Sequence, residues 1–422
     1  MMAFEGPFLA AIIARLPEAK FNLAAHGVAV AFAILVEAPV IMIMSASTAL
    51  VENRLSFEKL RNFTYALNIS ITVVMLALLV PRIGFGLLQG MVGLPEEIAR
   101  LTYGALVILL PWPAAIGYRR FFQGLLIRGG RTRLVAYGTG IRLITMGTTA
   151  LVLYKVFQVP GAYVGAAALS AGVSVEALAS RLMASSTVRE LLNTEHPSDE
   201  PPLTYGKIAH FYYPLALTSL LGLAVQPMLT FFMGRALYPV ESLAVFPVVH
   251  ALSFIFRAMG LSYQEVAIAL MGENHKDVAP LTKFAAVLGI ASSVCLALIA
   301  FTPLANIWFE TISGLTPDLV QFSLAPARIL APLPALSVLI SFQRAVLVKG
   351  RRTGPITGAT ASEVIGIGLT FSIMSGVFDA VGITAAAWAF VIGRIAANIY
   401  LTPPCLAALR SSKAKQDQAL GG

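Results

Sequence analysis

Leu110–Arg133 reads LPWPAAIGYRRFFQGLLIRGGRTR, and Ala331–Gly354 reads APLPALSVLISFQRAVLVKGRRTG. Each stretch opens on Pro-x-Pro, runs through an apolar helix carrying arginine and glutamine, and ends in a basic turn with glycine. The two lie 221 residues apart, or 220 at Phe122-Gln123 and Phe342-Gln343. The same shift lays Gly93-Leu94 on Gly314-Leu315, Glu52-Asn53 on Glu273-Asn274, Phe63 on Phe284, Gly161 on Gly382 and Gly172 on Gly393. A nearly constant offset across five helices and their loops is an internal duplication.

The duplicated unit is a membrane unit. Of the 422 residues, 57% are hydrophobic and 12% charged, with mean hydropathy +0.79, against about 25% charged in soluble domains. A span needs about 20 apolar residues, so the chain threads a bilayer about a dozen times and has little left for an extramembrane catalytic domain. Apolar runs fall near 3–16, 23–51, 63–80, 98–127, 134–156 and 160–185. A second set falls near 207–235, 240–271, 281–301, 318–348, 355–377 and 380–408. The expected fold is an all-α polytopic membrane protein of about twelve transmembrane helices in two parallel six-helix repeats. Residues 1–186 form the first lobe, 187–206 a polar linker, 207–409 the second lobe and 410–422 a tail. Cys295 and Cys405, both in apolar context, exclude a disulfide framework or a zinc ribbon.

An even number of helices per repeat gives both copies one orientation, so they are related by an axis along the membrane normal and equivalent residues lie at equal depth. The loops at 52–62, 128–133, 181–207, 272–283 and 349–352, with the tail, carry 17 of the 30 Lys and Arg. The alternate loops and the N-terminus carry only Arg15, Lys20, Arg82, Arg100, Lys155 and Arg235. The positive-inside rule therefore puts the linker and C-terminus in the cytoplasm, with the chain in the cytoplasmic (inner or plasma) membrane.

Pro7-Phe8-Leu9 aligns with Pro227-Met228-Leu229 and Arg15 with Arg235, yet the second half has about 20 further residues before that point, KIAHFYYPLALTSLLGLAVQ. The first helix is thus expected to be truncated, either because the native start lies upstream of Met1 or because that helix is itself shortened. Met1 to Ala10 has no basic segment of a signal peptide.

Ionisable groups inside a membrane are costly and normally face the bundle interior. Seven arginines qualify, Arg119, Arg120, Arg142, Arg257, Arg328, Arg344 and Arg394, against four acids, Glu37, Glu176, Glu265 and Glu363. An excess of buried cation suits an anionic substrate, because the guanidinium does not titrate and offers a bidentate fork for phosphate or carboxylate. Each arginine could equally pair with an acid or a carbonyl to hold helices together. Arg344 and Glu265 lie near the cytoplasmic interface and could snorkel. Candidate substrate-binding residues are Arg119, Arg120, Gln123, Arg257, Arg328, Gln343, Arg344 and Arg394; candidate coupling or gate residues are Glu37, Arg142, Glu176, Glu265 and Glu363. Arg142 and Glu363 are repeat equivalents of opposite sign, which suggests an ion pair across the pseudo-twofold axis. The other reading is that each faces its own half. Pro111, Pro113, Pro332 and Pro334 remove backbone donors, so the fourth and tenth helices should kink there as hinges or cavity walls. Glu37, followed by Ala38-Pro39, is the best candidate for coupling to H+ or Na+. His26, His210 and His250 read as solvated or capping residues near helix ends.

Twelve helices as two parallel repeats, with proline-broken fourth and tenth members, resemble the superfamily of multidrug, oligosaccharidyl-lipid and polysaccharide exporters, the MATE or MOP superfamily. Within it, Phe211-Tyr212-Tyr213-Pro214-Leu215-Ala216-Leu217, Thr302-Pro303, Arg328 to Pro334 and Lys349-Gly350-Arg351-Arg352-Thr353 are similar to the progressive ankylosis (ANKH) family. The resemblance implies an alternating-access carrier that exports anionic metabolites such as pyrophosphate, ATP or citrate. Two other transport readings stay open, a flippase for a lipid-linked oligosaccharide and a multidrug or cation antiporter. From another class come a membrane scaffold and a membrane-embedded transferase. No hydrolase, metalloprotease, metal or nucleotide-binding motif is present, so no enzyme and no cofactor are expected. The expected partners are the bilayer and a small anion, with no nucleic acid and a monomeric state.

Overall fold

The computed structural model describes residues 5–157, 159–194, 203–271, 278–350, 352 and 354–420. The first repeat begins with α1 (Glu5–Ile13) and α2 (Ala19–Glu37), which passes through a 3-10 turn at Ala38–Val40 into α3 (Ile43–Leu50). It continues with α4 (Arg54–Leu78), α5 (Pro81–Phe85), α6 (Glu96–Ile108), α7 (Trp112–Arg128), α8 (Thr132–Val152) and α9 (Gly161–Met183). A short amphipathic α10 (Ser185–Asn193) buries Thr187, Val188 and Leu191 and extends helix into the stretch read as linker. The second repeat comprises α11 (Tyr205–Leu223), α12 (Val225–Met233), α13 (Pro239–Leu270), α14 (Val278–Phe301), α15 (Leu304–Asn306), α16 (Pro317–Ile329), α17 (Leu333–Lys349), α18 (Gly354–Gly376) and α19 (Gly382–Leu420).

Among the described residues, ten helical stretches are long and apolar enough to cross a membrane, and α16 with α17, bent by 40° at their break, makes eleven. This is a multi-pass membrane protein. The nine-residue α1 is too short to span, at about 1.5 Å per residue against a hydrocarbon core of about 30 Å. Helices α4, α8, α14 and α18 turn large aliphatic side chains outward, among them Ile69, Ile144, Val287 and Ile365, each more than three-fifths exposed. In lipid such a face is the solvated one.

The duplication is visible in local geometry. Residues 86–91 and 307–312 both widen into a π-helix, and each is followed by a glycine at positive φ, Gly93 at 84° and Gly314 at 74°, where a Cβ would be strained. Asn22 Oδ1 accepts from the Ala162 N–H at 2.9 Å, and Ser242 Oγ from the Ile383 N–H at 3.2 Å, so one side chain caps the sixth helix of each repeat. A Cβ on Gly172 would press on the Arg142 carbonyl, and one on Gly393 on the Glu363 carbonyl. Arg142 and Glu363 are therefore equivalent in three dimensions. Val40 faces Gly117 as Gly260 faces Ser337. Carried three residues back, the same 220-residue register makes Glu37 and Arg257 equivalent, again with opposite charge.

By packing, the chain divides into residues 12–230 and residues 5–11 with 231–420. Helix α11, which precedes the second repeat's own core in sequence, thus packs with the first. The cause is the 3-10 turn after Glu37. Tyr212 donates its hydroxyl to the Pro39 carbonyl and Ser219 to the Ala38 carbonyl at 2.8 Å, while Phe63 meets the Tyr212 ring edge-on at 5.4 Å.

Candidate functional site

Each repeat gathers its interior charges into one cluster. In the first, α7, α8 and α9 converge on Glu176, which is fully buried. Its carboxylate takes Arg119 Nη1 at 2.5 Å, Gln123 Nε2 at 3.1 Å and Arg142 Nε at 3.4 Å. Two guanidinium groups and an amide around one carboxylate make a polar knot that joins three helices, although Arg119 Nε is buried there without a hydrogen-bond partner. Arg120, the next residue along α7, points about 100° away and donates to the Met44 sulfur at 3.7 Å, with its Nε buried and without a hydrogen-bond partner. Glu37 ends α2 immediately before the 3-10 turn. It is buried, its Oε2 has no hydrogen-bond partner, and it lies within electrostatic reach of Arg119, Arg120 and Arg142.

The second cluster is built by α13, α17, α18 and α19. Arg394 Nη2 pairs with Glu363 Oε1 at 2.7 Å, and Arg344 Nη2 donates to Thr360 Oγ1 at 3.4 Å, one turn before Glu363 on α18. Arg257 lies over the Phe390 ring at 5.8 Å and within electrostatic reach of Arg394 and Glu363, as does Arg344. Nε and Nη1 of Arg257, Nε of Arg344 and Nε of Arg394 are buried without a hydrogen-bond partner. Gln343 donates to the Asn398 carbonyl at 3.2 Å and Thr402 Oγ1 at 3.1 Å, and Asn398 donates to the Arg394 carbonyl at 2.8 Å and the Leu336 carbonyl at 3.1 Å. With both amide nitrogens committed to carbonyls, Gln343 Oε1 and Asn398 Oδ1 are left as buried acceptors without partners. A small hollow, no larger than one water molecule, lies beside Phe390, lined also by Phe246, Val249, His250 and Leu330.

Several sequence expectations change here. Of the two readings of Arg142 and Glu363, the structure supplies each with a partner inside its own repeat: Arg142 lies 3.4 Å from Glu176, and Glu363 pairs with Arg394. Arg328 does not join the interior: it is exposed at the end of α16, donating from Nε to the Ala300 carbonyl at 3.2 Å and lying over Phe301 at 5.6 Å. A cation satisfying the last carbonyls of α14 is a helix-end contact. His26 is buried against the sixth helix at Gly165, and His250 is packed among Phe246, Phe254 and Phe390, so neither is a solvated cap; His210 is exposed. The Glu265 side chain lies outside the described residues. Helix is interrupted at both proline pairs, between α6 and α7 and between α16 and α17, with Pro113 and Pro334 inside the first turns that follow; the second pair is bent by 40°, whereas Glu96–Arg128 runs on as one span. Thr360, Asn398 and the aromatic shelf under Arg257 were not singled out from sequence. The only signal for Asn398 was its place four residues after Arg394, on the same helical face. Among the described residues no group of three His, Cys, Asp or Glu side chains is placed to hold a metal.

No protein-family model and no curated protein matches the chain. Solved structures do. A multidrug resistance MATE family transporter of the MOP superfamily, in an inward-facing conformation, superposes with TM-score 0.77 at 15% identity, covering 98% of this chain and 96% of the other. The lipid II flippase MurJ gives TM-score 0.71 at 14% identity over 98% and 89% of the two chains. The eukaryotic MATE transporter AtDTX14 gives 0.60 at 14% over 98% and 97%. On this likeness, and on the repeat geometry described above, the chain has the fold of the MATE transporters of the MOP superfamily.

Proposed function

We propose that the chain is a secondary-active transporter that exports an anionic small metabolite, of the pyrophosphate, citrate or nucleotide class, by alternating access between its two lobes. The observation that carries this is the second cluster: three arginines share one glutamate, and four of their buried nitrogens have no hydrogen-bond partner. Unpaired guanidinium nitrogens inside a membrane protein are costly unless a ligand answers them. The resemblance to the progressive ankylosis family points to the same substrate class. In the first lobe, Glu37, buried beside arginines already drawn to Glu176, is the group to carry a coupling proton or sodium ion. Arg344, Arg394 and Arg257 hold the anion, and the broken α16–α17 segment is the hinge.

The test is uptake of labelled pyrophosphate, citrate or ATP by proteoliposomes holding the purified full chain, with and without a pH or sodium gradient. Gradient-dependent flux of one of these anions is expected, and Arg257→Gln should reduce it by about tenfold or more, as for a charged group that contacts substrate. The fold likeness to the flippase MurJ favours a second reading, movement of an anionic lipid-linked sugar. Scrambling of such a lipid with no flux of any small anion would establish that reading in place of the first.

A further inference from the structure

The second cluster has a definite charge, and that charge selects a ligand. Among the described side chains, Arg257, Arg344 and Arg394 lie around Glu363 alone, so at an alkaline pH that leaves histidine uncharged the cluster has an excess of two positive charges. Glu265 is two turns further along α13 from Arg257, about 12 Å at the helical rise. The first cluster sets the same number of arginines against two glutamates, since the position equivalent to Arg257 is Glu37 and Glu176 is already surrounded. The two lobes therefore differ in what they can neutralise.

In a low-dielectric interior, uncompensated charge of either sign is expensive. A monoanion bound at the second cluster would leave one guanidinium unanswered, and a trianion would bring one charge too many. Glu363 already occupies Arg394 at 2.7 Å, which leaves Arg257 and Arg344 as the two cations to be met. The four unpartnered nitrogens belong to three separate guanidinium groups, so the ligand's oxygens should be divided between at least two of them. Resting on the anion-transport reading above, and narrowing the metabolites named there to their doubly charged species, we propose that this site is selective for ligands bearing two negative charges, and that Glu363 is the residue that sets the number. The shared chemistry is a dianion, whether a dicarboxylate or a phosphate monoester.

The experiment is binding rather than flux, on the purified full chain in detergent at mildly alkaline pH, where the carboxylates are fully ionised. Calorimetric titration with propionate, succinate and tricarballylate varies ligand charge from one to three on closely related scaffolds, and methyl phosphate supplies a phosphorus dianion. Succinate or methyl phosphate should bind about tenfold or more tighter than either neighbour in charge, the chemistry of the tighter one naming the ligand's source. Glu363→Gln should move the preference to tricarballylate, and the double variant Glu363→Gln with Arg344→Gln should restore the dianion. Arg344→Gln alone, which leaves the Glu363–Arg394 pair intact, should move the preference toward propionate and serves if Glu363→Gln does not fold. Propionate binding as tightly as succinate, or an order unchanged in every folded variant, overturns the charge-selection proposal while leaving anion transport standing. If no anion binds in either arm, the transport reading fails and this proposal fails with it.

Discussion

At the scale of single residues, the two lobes use the same kind of side chain for different ends. Arg119 and Arg142 are held by Glu176, and removing that carboxylate strands two buried cations. Glu176→Gln should cost about 3 kcal/mol or more of stability, read as a lowered unfolding temperature in detergent. Glu37 has the opposite profile, because its Oε2 has no hydrogen bond to lose. Glu37→Gln should leave the unfolding temperature nearly unchanged and abolish gradient-driven flux while sparing anion exchange; gradient-driven flux at the wild-type rate would remove it from coupling. The charged residues were legible in the sequence, because an arginine or glutamate inside an apolar run has to face the bundle interior or a helix end. Their partners were not. Arg119 and Glu176 are 57 positions apart, and neighbours such as Arg119 and Arg120 diverge by about 100° around the helix, so pairing depends on helix rotation that composition does not encode.

Among the elements, the breaks carry the specific chemistry. The 3-10 turn at Ala38–Val40 presents carbonyls that Tyr212 and Ser219 of α11 satisfy. The double variant Tyr212→Phe with Ser219→Ala should therefore cost about 2 kcal/mol, at roughly 1 kcal/mol per hydrogen bond, again measured as thermal stability in detergent. The motif around Tyr212 was conspicuous in the sequence for having no counterpart in the first half, yet its task became visible only when the turn it answers was in place. The prolines were easier to read. Pro-x-Pro cannot continue a helix, and the bend between α16 and α17 reaches 40°. Pro332→Ala with Pro334→Ala should slow transport by about tenfold or more while leaving anion affinity within about twofold, as expected of a conformational rather than a binding residue. Unchanged transport would reduce the bend to packing. Arg328, on the helix before that break, shows the limit of depth arithmetic: a cation at the level of the interior cluster can still turn outward to cap a neighbouring helix.

For the whole molecule, the charge asymmetry between alternate loops argues for one orientation. We propose that residues 52–62, the N-terminal end of α4, and the C-terminal end of α19 face the cytoplasm. In right-side-out vesicles of a chain with Cys295 and Cys405 replaced by alanine, a cysteine at Lys59 should resist an impermeant thiol reagent, and one at Arg100 should react. The reverse pattern would invert the topology. Arg100 pairs with Glu96 on the exposed face of α6, whereas Lys59 makes a part-buried bond to the Leu203 carbonyl and lies over the Tyr205 ring, so reaction of the Lys59 cysteine after permeabilisation serves as its accessibility control.

The sequence by itself determined the membrane class, the duplicated six-helix plan, the proline breaks and the inventory of interior charges. These follow from properties that are local or periodic: apolar length, the register of the repeat, the missing N–H of proline and the cost of an ion in lipid. Tertiary structure alone decided which charges pair, that Arg142 and Glu363 each find a partner in their own lobe, that α11 anchors on the turn after Glu37, and that, among the described side chains, three arginines gather around Glu363. Those outcomes depend on the rotation and depth of each helix against its neighbours, set by close contacts such as Gly172 on Arg142 and Gly393 on Glu363. Such contacts join residues far apart in the chain, and only packing brings them together.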